Sequence, residues 1–63
     1  MSFHEYLVAA RLRREDVPFY ALIMAAMSKA DPDNEYKLRT CFPRVWDELR
    51  ERTRAPGGRL KDE

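Results

Sequence analysis

Apolar residues recur along this chain at helical spacing and nowhere alternate with the two-residue period of a strand. Phe3, Tyr6, Leu7 and Ala10 fall on one stripe at about 100° per residue. Val8 and Leu12 fall on a second face, with His4 and Arg11 between the two. Ser2 with Glu5 three residues on fits a capping box, in which each side chain satisfies a free backbone N–H of the first turn. Arg11, Arg13 and Arg14 then occupy the last turn, where cations favour the negative end of the helix dipole. A first helix from Ser2 to the arginines is predicted, and its two apolar faces suit two neighbours.

Glu15 and Asp16 mark a junction. Asp16 is predicted to cap a second helix, with Pro18 tolerated in its first turn because the missing N–H is not needed there. Phe19, Tyr20, Leu22, Ile23, Met24 and Met27 sweep about 200° of that helix, and Ala21, Ala25, Ser28 and Lys29 fill much of the rest. A helix so apolar is normally enclosed by others, so it is predicted to be the central element. Asp31 reads as an N-cap with Pro32 at the first helical position of a third helix. Leu38, Cys41 and Phe42 line one side of that helix and Tyr36 points elsewhere. Pro43 drives Phe42 out of the helical region and restarts a fourth helix, with Val45, Trp46, Leu49 and Thr53 on one face. Its other face carries a Glu48/Arg52 pair at i,i+4 and Asp47/Arg50 and Glu51/Arg54 pairs at i,i+3. Ala55-Pro56-Gly57-Gly58 stops it. The fold class predicted is all-α: a bundle of three to four short helices around the central apolar one. The helical domain spans 1–55, and a flexible, disordered C-terminal tail spans 56–63.

Length sharpens this picture. Sixty-three residues make one domain, and a chain of this size buries only roughly 60% of the surface its unfolded form exposes. Cys41 is the only cysteine and His4 the only histidine, so neither an intrachain disulfide nor a zinc-like ligand spacing exists to reinforce it. Regular helix packing and self-association remain, and both are expected. A lone thiol suits a reducing cytoplasm. The longest uncharged stretch, Val17 to Ser28, is twelve residues, where a membrane span needs about 20. The N-terminus lacks a basic region followed by an apolar run, so no signal peptide is expected. The expectation is a soluble cytoplasmic protein that does not enter a membrane.

Candidate chemistry is sparse. Nucleophilic catalysis would need Cys41, Ser2 or Ser28 beside a base, and the sole imidazole lies near a terminus. On the predicted core face, Cys41 reads as a small buried hydrophobe, and His4 as a half-exposed surface histidine. Asp31, Asp33 and Glu35 lack the further oxygen ligands and the glycine of a calcium loop, and capping accounts for Asp31. No catalytic residue, metal ligand or cofactor is expected, and the chain is read as not an enzyme.

Net charge is +1, with four bases and three acids in residues 1–30, two and three in 31–42, and six and five in 43–63. No segment has the excess of bases that attachment to nucleic acid uses. The second and third helices superficially resemble a helix-turn-helix, but the start of the reading helix would be Pro32-Asp33-Asn34-Glu35. That would press carboxylates against a polyanion, although Asn34 alone could read adenine. The alternative route to DNA is a composite patch of Arg11, Arg13, Arg14, Arg50, Arg54, Arg59 and Lys61, so a small DNA-binding regulator is kept as the disfavoured reading. Protein binding is favoured. Val8, Leu12 and Arg11 on the outer face of the first helix and Tyr36 on the third are the predicted partner-binding residues. Met24, Met27 and the amphipathic Tyr20 add adaptable interface chemistry, and Trp46 is assigned to the core.

Tyr20-Ala21-Leu22-Ile23-Met24-Ala25-Ala26-Met27, then Lys29-Ala30-Asp31, Asn34, Leu38, Phe42-Pro43, Val45-Trp46, Glu48-Leu49, Arg52 and Ala55-Pro56-Gly57-Gly58 resemble a group of short uncharacterised bacterial and prophage-type helical proteins. The resemblance covers roughly residues 19–58 and leaves the first helix outside. It lends no assigned activity and no functional residue. What it implies is a mobile-element setting, where short proteins tend to act by binding. The expected function is a non-enzymatic protein-interaction module that forms a homo-oligomer.

Overall fold

The computed structural model describes residues 1–63 as four α-helices and one 3₁₀ turn, with no strand. The helices are α1 (Phe3–Arg14), α2 (Phe19–Lys29), α3 (Pro32–Cys41) and α4 (Pro43–Arg54), and the turn is Pro56–Gly58. The all-α class is as expected from the periodicity.

Local chemistry sets most of the boundaries. Ser2 Oγ accepts from the Glu5 N–H at 3.1 Å while Glu5 Oε1 accepts from the Ser2 N–H at 2.7 Å, which completes the capping box of α1. Asp31 Oδ1 accepts from the Asn34 N–H at 2.8 Å and starts α3 behind Pro32. Phe42 does two jobs: its N–H closes α3 on the Leu38 carbonyl at 2.8 Å, and its carbonyl opens α4 by accepting from Trp46 at 3.0 Å. Its φ of −130° and ψ of 62° lie outside the helix, as a residue ahead of proline must. The start of α2 differs from expectation. Asp16 does not cap it; the N-cap is Pro18, which has no side-chain hydrogen bond to give, and its carbonyl accepts from the Leu22 N–H at 3.2 Å.

Helices α2, α3 and α4 pack on one another, while α1 packs against none of them. Tyr20 and Met24 at the start of α2 lie beside Arg44 and Val45 at the start of α4. Met27 near the end of α2 lies beside Leu49 and Thr53. The two helices therefore run the same way, with α3 antiparallel between their ends. The Phe19 ring meets the Phe42 ring edge-on at 6.4 Å and fixes the upper end of this cluster.

The apolar helix is not enclosed. Within α2 only Met27, 3% exposed, is buried, whereas Phe19 and Tyr20 are 59% and 56% exposed. Helix α2 has two packed neighbours instead of three, because the sequence supplies α1 as a potential cover and the chain does not place it there. Cys41 also departs from its expected burial and is exposed, because α3 turns only its Leu38–Phe42 edge inward before the proline breaks it. The molecule is accordingly extended. Its radius of gyration is 13.5 Å, against about 10.6 Å for a compact chain of this length.

The segment after α4, expected to be loose, folds back on that helix. Gly57 and Gly58, at φ 62° and 73°, take the left-handed turn that glycine allows without cost from a Cβ. This turn delivers the Gly58 carbonyl to Arg52 Nη1 at 2.9 Å. Glu63 then closes on the same guanidinium.

Candidate interaction surface

Every residue of α1 is at least partly exposed. Its stripe of Phe3, Tyr6 and Leu7 is open to solvent, with Phe3 74% exposed and its ring stacked on Tyr6 at 6.5 Å. The capping box and the basic last turn explain why the helix forms, but neither gives the stripe a partner. Val8 and Leu12, the residues expected to face a partner, are half-buried, and Arg11 between the two faces is exposed. The more exposed face is thus the one the periodicity had turned toward the core.

Tyr36 is exposed on α3 with the Arg39 guanidinium 5.1 Å from its ring centre, a surface cation–π contact. Because α1 touches no other helix, Tyr36 is not brought together with Val8, Leu12 and Arg11. Tyr20, expected to add interface chemistry, is open to solvent at the entry to α2, and beside it lies Phe19, which the sequence pattern does not single out, the two rings packed edge-on at 5.2 Å. Their signal was Pro18, which holds the approach to α2 in an extended conformation.

The remaining features are shallow. Four open clefts of 190 to 330 Å³ lie between helices or along α1, at or below the roughly 300–1,000 Å³ of small-molecule sites. One is floored by Tyr20, Met24 and Val45 and edged by Arg44 and Glu48. Another runs past Met27, Trp46, Leu49 and Thr53, with Arg50 and Arg54 at its rim. Trp46, assigned to the core, is half-buried at this edge, and the Arg50 guanidinium lies 6.0 Å from its ring centre. No three His, Cys, Asp or Glu side chains gather into a group able to hold a metal ion. No helix is long and apolar enough to cross a membrane.

No protein-family profile, curated protein or solved structure matches the chain.

The composite arginine patch is divided. Arg11, Arg13 and Arg14 belong to the detached α1, while Arg50 and Arg54 line the far end of the α2–α4 cluster from Phe19. The only perturbed ionisable groups are Arg52 and Glu63, which belong to the C-terminal clasp and not to a cleft.

Proposed function

We propose that this chain is a non-enzymatic protein-interaction module that self-associates and acts in the cytoplasm, in the mobile-element setting its resemblance implies. One observation carries the reading. Helix α1 presents Phe3, Tyr6 and Leu7 to solvent and has no packing partner within its own chain. Burying a phenylalanine or leucine side chain gains roughly 1.5–3 kcal/mol, so the stripe offers a partner several kcal/mol. A twelve-residue helix is also marginal alone in water, so α1 itself gains from being covered.

Light scattering coupled to size-exclusion chromatography tests the reading. The chain is expected to elute as a dimer or larger species at micromolar concentration and to dissociate when Tyr6→Asp places a carboxylate in the stripe. A strictly monomeric, cooperatively folded protein at high micromolar concentration overturns it.

A further inference from the structure

We infer that the occupant of the α1 stripe is a second copy of this chain, and that two copies exchange α1, each laying its stripe along the partner's α2–α4 seam. This rests on the self-association reading and gives it a geometry.

The linker between α1 and α2 carries the first part of the case. Glu15 (φ −81°, ψ 153°) and Pro18 (φ −59°, ψ 142°) are both extended. Val17, ahead of the proline, is kept from the helical region as well. A four-residue connection could close a helical hairpin in another conformation. Extended at both ends, this one carries α1 away from its own α2, and the molecule measures 41 Å along its longest axis.

The seam supplies a receptor of matching size and chemistry. Helices α1 and α4 each have twelve residues, or about 18 Å of helix. The seam presents the exposed Tyr20 and the half-buried Met24 and Val45 toward one end, and the half-buried Trp46 and Leu49 over the buried Met27 toward the other. Met24 is adaptable enough to seat aromatic rings such as Phe3 and Tyr6.

Area decides in favour of a second copy. The chain exposes 5670 Å², against about 4,200 Å² for a compact monomer of this mass, an excess of about 1,400 Å². A standard interface takes about 800 Å² from each partner, so the excess is large enough to form a stable dimer. Pairing α1 with α1 leaves the seam open. Reciprocal exchange covers stripe and seam together and closes by a two-fold axis.

Lengthening the hinge tests the exchange. A variant with about six Gly/Ser residues inserted between Asp16 and Val17 gives α1 a flexible path to its own seam. The unmodified chain is expected to be dimeric, and in a mixture of isotope-labelled and unlabelled protein, filtered NOEs should connect the Phe3 and Tyr6 rings with Met24 and Val45 methyls across chains. The insertion variant is expected to lose the dimer, keep its helical circular dichroism, and show those contacts within one chain. An insertion variant as dimeric as the unmodified chain overturns the exchange and leaves self-association standing. A monomeric unmodified chain overturns both.

Discussion

The Arg52 guanidinium grips the Glu63 carboxylate with two prongs, Nη1 to Oε1 and Nη2 to Oε2, each at 2.6 Å. Arg52 also donates through Nε to Glu48 at 3.0 Å and through Nη1 to the Gly58 carbonyl at 2.9 Å. One α4 side chain thereby ties down the eleven residues that follow it. The hydrogen bonds from Arg52, and then that from the Leu60 N–H, hold the Glu63 pKa at about 2 instead of 4.5. Since pairing lowers the folded-state value, the stabilisation is complete above the unfolded pKa and is lost as the pH falls from about 4.5 toward 2. The Leu60 amide, which donates to Glu63 Oε1 at 3.1 Å, reports the clasp. Its NMR shift is expected to titrate with a midpoint near 2, and Glu63→Gln should give the released shift at every pH. A Leu60 resonance that stays unchanged from neutral pH to pH 2 contradicts the clasp.

The two side-chain caps should behave differently when removed. Ser2→Ala and Asp31→Ala each delete an N-cap worth about 1 kcal/mol. Helix α1 packs on nothing within the protomer, so in the dissociated protomer Ser2→Ala should lower α1 helicity in residue-resolved carbon shifts and leave the α2–α4 cluster unaffected. Asp31 caps a helix packed on two others. Its loss should lower the melting temperature of the cluster by about 4–8 °C. Equal effects of the two substitutions on the cluster would mean that α1 is integral to it.

Met27 is the only buried residue, at the point where α2 meets Leu49 and Thr53 of α4. Met27→Ala removes it at a cost of about 2–5 kcal/mol. A single core at this chain length rarely supplies more than about 3–5 kcal/mol. The variant is therefore expected to be largely unfolded at 25 °C in far-ultraviolet circular dichroism. A cooperative urea transition close to that of the unmodified chain would show that the stability resides elsewhere.

What could be read from the sequence follows the range of each interaction. Ser2 with Glu5, Asp31 with Pro32, and Phe42 with Pro43 act within a few residues, and all three mark helix ends where expected. Glu48/Arg52 is likewise local and forms at 3.0 Å. Periodicity identified the apolar faces of α1, but it has no term for the path of the linker, and so the Phe3 stripe was turned inward when it lies outward. Arg52 and Glu63 are eleven positions apart, and nothing in the spacing announces a contact that depends on two glycines in the left-handed region. Val8, Leu12, Arg11 and Tyr36 were each placed on a face by period alone. The connection at Val17-Pro18 decides which faces share one surface.

Cys41 offers a direct check on the third helix. Its thiol is exposed, so it should react with a disulfide reagent in the native protein as fast as in denaturant. Cys41→Ser should change stability by less than about 0.5 kcal/mol, as a surface substitution does. Protection of the thiol in the unmodified chain, relieved by denaturant, would place it inside an interface.

Two tyrosines separate the competing binding faces. Tyr6 lies in the open stripe of α1 beside Phe3, and Tyr36 lies on α3 beneath Arg39. Because α1 contacts no other helix, the two rings belong to different surfaces, and substitutions there should be independent. Tyr6→Asp introduces a charge whose desolvation opposes any partner seated on the stripe. It should abolish self-association in sedimentation velocity and lower the urea midpoint of the α2–α4 cluster no further than the loss of the partner's cover does, to the value of the dissociated protomer. Tyr36→Ala removes a ring whose contact with Arg39 is worth only about 0.5–1 kcal/mol at an exposed site, so the oligomer should persist. The reverse pattern, with Tyr36→Ala dissociating the protein and Tyr6→Asp sparing it, would move the interface from α1 to α3.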